Sequence, residues 1–243
     1  MNVHVRLFAM LRERAGAGEV ALELPDGASV AQALEALRWL TDGIPVVMAV
    51  NREYAEPTLR LAPGDELALI PPVSGGSVPD ASPPGAQAVH ARIHARISRE
   101  PLSLDRITAS VSDPRAGAVV AFLGVTREVP ELGYEAYVEM AERKLAEIVA
   151  AAIERHGLTA AAAEHRIGTV PLSEPSVVVA VSAPHRAEAF AGAREIIDEI
   201  KAQAPIWKRE LGVWVAGEPL YSAPPATDGA VGSTAPLDSS RVR

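Results

Sequence analysis

The chain has 243 residues, which allows one or two domains at roughly 100–200 residues each. A net charge of −8 without a long basic run argues against general nucleic-acid binding, and no run of about 18 apolar residues is present to span a membrane. The absence of cysteine excludes disulfides, thiolate metal sites and any mechanism that uses a thiol or persulfide of the chain itself. No segment at the N-terminus has the apolar core and cleavage site of a signal peptide, so the expected location is the cytoplasm.

Residues 1–76 read as a small α/β unit. Val3, Val5 and Leu7 alternate as a half-buried strand does. Met10 to Ala15 predicts a short helix stopped by Gly16. Val20, Leu22 and Leu24 alternate again, up to the turn Pro25-Asp26-Gly27. Ser29 and Gln32 have the spacing of a capping box, and Val30, Leu34 and Leu37 follow at helical spacing. Ile44 to Val50 is a β-rich run. Glu66 to Ile70 is a last strand after the turn Pro63-Gly64-Asp65. The unit then ends in Pro71-Pro72-Val73-Ser74-Gly75-Gly76, a tail whose two glycines would let the backbone enter a narrow slot.

Residues 77–89, rich in Ser, Pro, Gly and Ala, predict a flexible linker. Residues 90–222 predict a second, larger unit. Arg92–Ile97 reads as a strand, and Ser103 opens a helix carrying Ile107 and Val111. Ala118–Val125 reads as a buried strand leading to Arg127. Tyr134–Val138 alternates as a strand, and Ala141–Arg155 is an amphipathic helix capped by Gly157. His165 begins another β region, and Ser176–Ser182 is a buried strand. Ala187–Ala202 is a helix with Phe190, Ala193, Ile197 and Ile200 inward, ended by Pro205. Val213–Val215 is a final strand, and the polar, Pro- and Gly-rich residues 223–243 predict disorder.

Lysine is scarce: 23 Lys and Arg include only Lys144, Lys201 and Lys208. Lys201 stands at the edge of an apolar helix stripe, where partial desolvation would favour its neutral form. Pro205 then turns the chain, so Lys208 need not point away from it. His185 and Arg186 precede a helix, whose N-terminus favours anions. Arg127 follows a strand in the same way. Together Arg127, His185, Arg186, Lys201 and Lys208 would form a basic pocket in an acidic protein, suited to a small phosphorylated substrate. His94, His156 and His165 have no metal-ligand spacing and read as structural, and neither a phosphate-binding loop nor a dinucleotide fingerprint is present.

Residues 1–76 resemble the small subunit of molybdopterin synthase, a β-grasp, ubiquitin-like sulfur carrier. The resemblance lies in Phe8-Ala-Met-Leu-Arg-Glu, Val50-Asn51, Gly64-Asp65-Glu66 and the Gly75-Gly76 tail. Residues 92–215 resemble the large, catalytic subunit, an α/β-hammerhead-type domain. Here the matching stretches are Phe122-Leu-Gly-Val-Thr-Arg127, Tyr134-Glu-Ala-Tyr137 with Met140-Ala141, His165-Arg166-Ile167-Gly168, Ser182-Ala-Pro-His185-Arg186 and Lys201 through Glu210. The resemblance implies an α+β protein with two fused domains, and an enzyme that transfers sulfur. A thiocarboxylate on Gly76 would give sulfur to cyclic pyranopterin monophosphate, forming the dithiolene of molybdopterin. It implies Lys201 and Lys208 as catalytic groups, and Arg127, His185 and Arg186 as substrate-binding groups. It implies no cofactor and no metal. The partners implied are an E1-like adenylyltransferase and a sulfur donor acting on Gly76, and a second copy joined through the catalytic domain. Because Gly76 is bonded to Ser77, a processing protease is expected as well. The alternative is a ubiquitin-like carrier or modifier fused to a docking module without catalysis.

Overall fold

The computed structural model describes residues 1–73 and 92–215. Gly76, the expected linker at 77–89 and the expected disordered segment at 223–243 lie outside the described residues. No helix among the described residues is long and apolar enough to cross a membrane.

The first unit is one sheet with helices on one side. Strand β1 (Asn2–Leu7) pairs antiparallel with β2 (Glu19–Glu23) and parallel with β5 (Leu67–Ile70). Strand β3 (Val47–Val50) lies on the other side of β5, and the two-residue β4 (Glu53–Tyr54) forms the edge. The order β2-β1-β5-β3-β4 places the first and last strands side by side at the centre, the arrangement expected of a β-grasp unit. Helix α1 (Ala9–Ala15) stops at Gly16, whose φ of 66° suits a residue without a Cβ. Helix α2 (Val30–Ala36) starts at the expected capping box: Gln32 N–H donates to Ser29 Oγ at 3.3 Å, and Ser29 N–H donates to Gln32 Oε1 at 2.9 Å. Val30, Ala33 and Leu37 then pack on Val3, Val5 and Leu7. A second short helix, α3 (Arg38–Thr41), and β4 carry no sequence signal strong enough to predict them.

The second unit holds two sheets. The larger joins β6 (Arg92–Ser98), β9 (Ala160–Arg166), β11 (Pro175–Ala183) and β7 (Ala118–Val125), in that order. Helices α5 (Val138–His156) and α6 (Arg186–Gln203) cover one face, and the short α4 (Leu104–Ser110) packs on the other. The smaller sheet joins β10 (Gly168–Pro171), β8 (Glu131–Ala136), β12 (Ile206–Glu210) and β13 (Val213–Trp214).

Four expectations need correction. The strand expected at 134–138 runs over 131–136, and Val138 already opens α5. The β region expected from His165 begins at Ala160. Ala160 to Ala163 are fully buried between helical layers, and a run of small helix formers hides a strand from any reading of local propensity. Phe190, expected inward, is 64% exposed. The inward stripe is Ala189, Ala193, Ile196, Ile197 and Ile200, beside Gly192, where an added Cβ would stand 2.8 Å from Leu158. Strand β7 is not buried throughout. It is the sheet edge, and Val119, Leu123 and Val125 are exposed on the face where α4 packs mainly over β9 and β11.

The histidines expected to be structural have protein partners. His94 and His156 pair with Glu164 and Glu195 at 2.7 and 2.6 Å. Glu164 is buried. Burial pushes its carboxyl up, but hydrogen bonds from His94 and Arg106 and the charge of Arg96 outweigh this and lower it. His165 sits edge-on to Tyr134 with ring centroids 5.0 Å apart, and its Nδ1 meets the Arg166 carbonyl at 2.8 Å.

A third cluster joins the units. Phe8 stacks between Tyr137, at 4.9 Å, and Trp207, at 5.0 Å, with the rings nearly parallel. Ala49, Ala68, Ile70 and Val73 complete one side and Met140 the other. Trp207 Nε1 donates to the Pro71 carbonyl at 3.1 Å, and Tyr54 Oη donates to the Gln203 carbonyl at 2.9 Å. Around the rim Arg12 meets Glu135 at 2.7 Å, and Arg143 and Arg209 reach Glu53 and Glu13 at 3.6 Å.

Phe8 belongs to this joining cluster and not to the first unit's own core. Phe8→Ala should therefore weaken docking by about 3 kcal/mol while the first unit still folds. Small-angle scattering should show an expanded particle with both units folded; an unchanged particle would place the docking energy elsewhere. A second expectation concerns pH. Burial lowers His165 from 6.5 to about 4 despite its backbone hydrogen bond. The unfolded chain thus takes up this proton first. The stability His165 allows is complete above pH ~6.5 and falls by about 3 kcal/mol as pH drops to ~4. Denaturant titrations should show a shallower acid slope for His165→Gln than for wild type over that window.

Candidate active site

The site residues named from sequence stand out first by lacking partners. In a chain with 31 acidic residues, Lys144 pairs with Glu147 at 2.6 Å. The side chains of Lys201, Lys208, His185 and Arg186 have no hydrogen bond or ion pair among the described residues. Arg127 meets only its neighbour Glu128, at 3.6 Å, with both side chains exposed. Such a pair contributes little.

Lys201 occupies the last turn of α6 and is exposed, so the expected partial desolvation is not found in this chain alone. Lys208 is half-buried on β12. Side chains alternate along that strand. Trp207 and Arg209 point toward the first unit, and Lys208 shares the opposite face with Ile206, which is part of the main core. Pro205 does turn the chain after α6, and the next residues pair with β8 as an unpredicted strand. Lys208 stands opposite Tyr134 there. Burial raises the Tyr134 hydroxyl against the opposing hydrogen bond to Ser176, which places this face near the start of β11.

The five candidate residues do not gather in one chain. Strands β7 and β11 are antiparallel, with Ala118 opposite Ala183 and Val125 opposite Pro175. Arg127 follows Val125, and His185 follows Ala183. They lie at opposite ends of a ladder that rises roughly 24 Å. Helix α6 starts at Arg186 and returns over the sheet. Its 15-residue run to Lys201 covers about 22 Å. Arg127, Lys201 and Lys208 therefore share one end of the unit, and His185 and Arg186 the other. The single basic pocket expected from sequence is not formed within one chain; its residues fall into two groups at opposite ends of the unit.

A cleft of about 560 Å³ opens between the two units, and none of these five residues lines it. Three of its four arginines are occupied, Arg6 by Glu66 and Glu139, Arg12 by Glu135 and Arg209 by Glu13, and Arg99 has no side-chain partner among the described residues. It is not the expected basic pocket. The residues that sequence reasoning missed are the joining ones, Tyr54, Glu135 and Trp207. Aromatic residues make up 4% of the chain, so a Trp directly before one of three lysines was the available signal.

A family model described as MoaE protein matches residues 97–203, and one described as ThiS family matches residues 5–76. Lys208 lies beyond the first match. The molybdopterin synthase catalytic subunit of Pyricularia oryzae is 40% identical over 147 residues, 54% of this chain and 81% of that protein. Catalytic subunit 1 from Mycobacterium tuberculosis is 38% identical over 136 residues, 52% of this chain and 92% of that protein. The rice catalytic subunit is 48% identical over 116 residues, and the chain spans 60% of its length. Among solved structures, molybdopterin synthase from Staphylococcus aureus is 34% identical, with a TM-score of 0.46 over 51% of this chain and 92% of that one. The chain therefore belongs to the molybdopterin synthase catalytic-subunit family and carries a ThiS-family domain ahead of the catalytic one.

Proposed function

We propose that this chain is a molybdopterin synthase with its sulfur carrier fused to its catalytic domain. The carrier is residues 1–76 and the catalytic domain residues 90–222. Gly76, as a free thiocarboxylate, supplies sulfur to cyclic pyranopterin monophosphate. The observation that carries this reading is the docked root of the tail. Val73 is fully buried in the joining cluster, and Trp207 holds the Pro71 carbonyl. Three Cα-to-Cα steps then separate Val73 from Gly76, a reach of at most ~10 Å. Lys208 directly follows Trp207.

The absence of cysteine fits a carrier that holds sulfur on an acyl terminus. Lys201 and Lys208 supply positive charge and a proton where negative charge develops at the reacting acyl group. Arg127, His185 and Arg186 hold the substrate phosphate and ring. Since one chain separates these groups, the working form is a homodimer of catalytic domains. The β7 edge offers unpaired backbone groups and an exposed apolar stripe. Two β7 strands paired end to end and antiparallel about a two-fold axis bring Val125 opposite the partner's Ala118 and Arg127 level with the partner's Ala116. The partner's His185 then lies about two strand spacings away, roughly 10 Å. In the cytoplasm an E1-like adenylyltransferase and a sulfur donor charge Gly76. They need a free carboxylate, so a protease first cuts the bond to Ser77.

Lys201→Ala and Arg186→Ala should each lower molybdopterin formation by about 10²–10⁴-fold. Co-refolded as a mixture, the two inactive variants should recover activity, because a mixed dimer contains one intact site. Failure of every mixture to recover would show that each chain builds its own site. The cut is tested separately: Gly76→Val should leave a full-length chain that forms no product, with the mass read by mass spectrometry. Wild-type activity from chains shown to be uncut, with no free carrier added, would remove the cleavage step.

A further inference from the structure

Residues 202–207 link the last turn of α6 to β12 and separate Lys201 from Lys208. The carrier unit grips this link at two points. Tyr54 Oη donates to the Gln203 carbonyl at 2.9 Å, two residues after Lys201. Trp207 Nε1 donates to the Pro71 carbonyl at 3.1 Å, one residue before Lys208. Neither donor is free to turn elsewhere. Trp207 is 1% exposed and stacked on Phe8, and burial raises the Tyr54 hydroxyl so that it stays protonated as a donor.

The rung beside Lys208 is held from both strands. Trp207 stands opposite Glu135 in the β12–β8 ladder, and Glu135 accepts the Ala9 N–H at 3.3 Å and pairs with Arg12 at 2.7 Å. All four groups gripping this rung belong to the carrier: Phe8 with Pro71 on Trp207, and Ala9 with Arg12 on Glu135. The next rung is Lys208 opposite Tyr134. Because successive side chains point to opposite faces, a twist of the strand that moves Trp207 also swings Lys208. Without the carrier, the link keeps only its own bonds, such as Tyr137 N–H to the Pro205 carbonyl at 3.1 Å and Ala204 N–H to the Ile200 carbonyl at 3.0 Å.

Resting on the function proposed above, we infer that the seated carrier fixes the spacing of Lys201 and Lys208, with Tyr54 and Trp207 as the positioning residues. The contact that delivers the tail also completes the lysine pair it meets. An empty catalytic domain holds both lysines but not their working geometry.

The test uses the full chain with Tyr54→Phe and Trp207→Phe, each of which keeps an aromatic ring in the joining cluster. Both variants should lower kcat for molybdopterin formation about 10- to 100-fold, the scale of a small misplacement of reacting groups. The pterin KM should stay within about twofold, because neither residue contacts the phosphate-binding half-site. With only three lysines, reductive ¹³C-methylation gives three sets of lysine NMR signals beside that of the N-terminal amine. Those of Lys201 or Lys208 should shift in both variants, and those of Lys144 should not. A kcat and a lysine spectrum unchanged in both variants overturn the inference. So does a raised pterin KM with unchanged kcat, which marks a binding role. If wild-type chain forms no molybdopterin, the function reading fails while the lysine spectra still decide this one.

Discussion

The insertion of Phe8 between Tyr137 and Trp207 is the contact on which the arrangement of both units depends. Each near-parallel pair adds about 0.5–1.5 kcal/mol beyond the area it buries. The Arg6 guanidinium lies 4.4 Å from the Tyr137 ring centre and 5.6 Å from that of Phe8, flanking this pair from the side. One phenyl ring therefore fixes the first unit against two elements of the second, Tyr137 at the start of α5 and Trp207 on β12. Those two elements meet again through the bond from Tyr137 N–H to the Pro205 carbonyl. The carrier thus rests on the junction that orients β12. While both units belong to one covalent chain, docking is an intramolecular event with an effective concentration on the order of millimolar. After the cut proposed at Gly76, the aromatic centre and its rim alone hold the two fragments together.

The rim gives orientation more than strength. Exposed ion pairs contribute about 0–1 kcal/mol each, and salt screens them. Their signs are nonetheless mixed along the joint: carrier arginines meet catalytic glutamates at Arg12–Glu135 and Arg6–Glu139, and the reverse holds at Glu13–Arg209 and Glu53–Arg143. A rotated docking would bring like charges together. Glu66 anchors this pattern. It accepts a hydrogen bond from Tyr137, the main cause that lowers its carboxyl against burial, and it also receives Arg52 and Arg6. On the other side, burial and then Glu66 push the Tyr137 hydroxyl up to about 12, so it remains a donor throughout the physiological range.

Much of the fold was legible because it rests on local patterns. The capping box at Ser29, the αL stop at Gly16 and the alternation of β1 are short-range signals, and each appears where the residues put it. Strand β9 was not legible, because four alanines carry no β preference of their own; only burial between helices on both faces makes them a strand. The inward face of α6 was misread at Phe190 for a related reason. Gly192 and two alanines let the helix approach Leu158 closely, and a ring on that side would not fit. At the site, residue types could be named from sequence, but their distribution over two ends of the unit follows from the length of α6 and the direction of β7. Neither is written in any single motif.

That distribution gives the unpaired cations their meaning. An acidic chain has carboxylates to spare, and the rest of its surface uses them freely: Arg115 on Asp113, Arg194 on Asp198, Arg155 on Glu195. Leaving Lys201, Lys208, His185 and Arg186 without counter-charges keeps their donors open, and each remains hydrated and weak as an anion trap while it stands alone in water. At a separation of about 22 Å the two groups exceed the screening length of roughly 8 Å at physiological salt, so one chain cannot focus their fields on a common ligand. Bringing opposite ends of two chains together removes that separation without moving a residue within either chain. The same edge strand that leaves β7 exposed supplies the route, because antiparallel pairing of an eight-residue strand with its copy superposes one end on the other. Under the function proposed above, the division of these side chains along α6 and the open edge of β7 fit one arrangement, a site completed where the chain meets its copy.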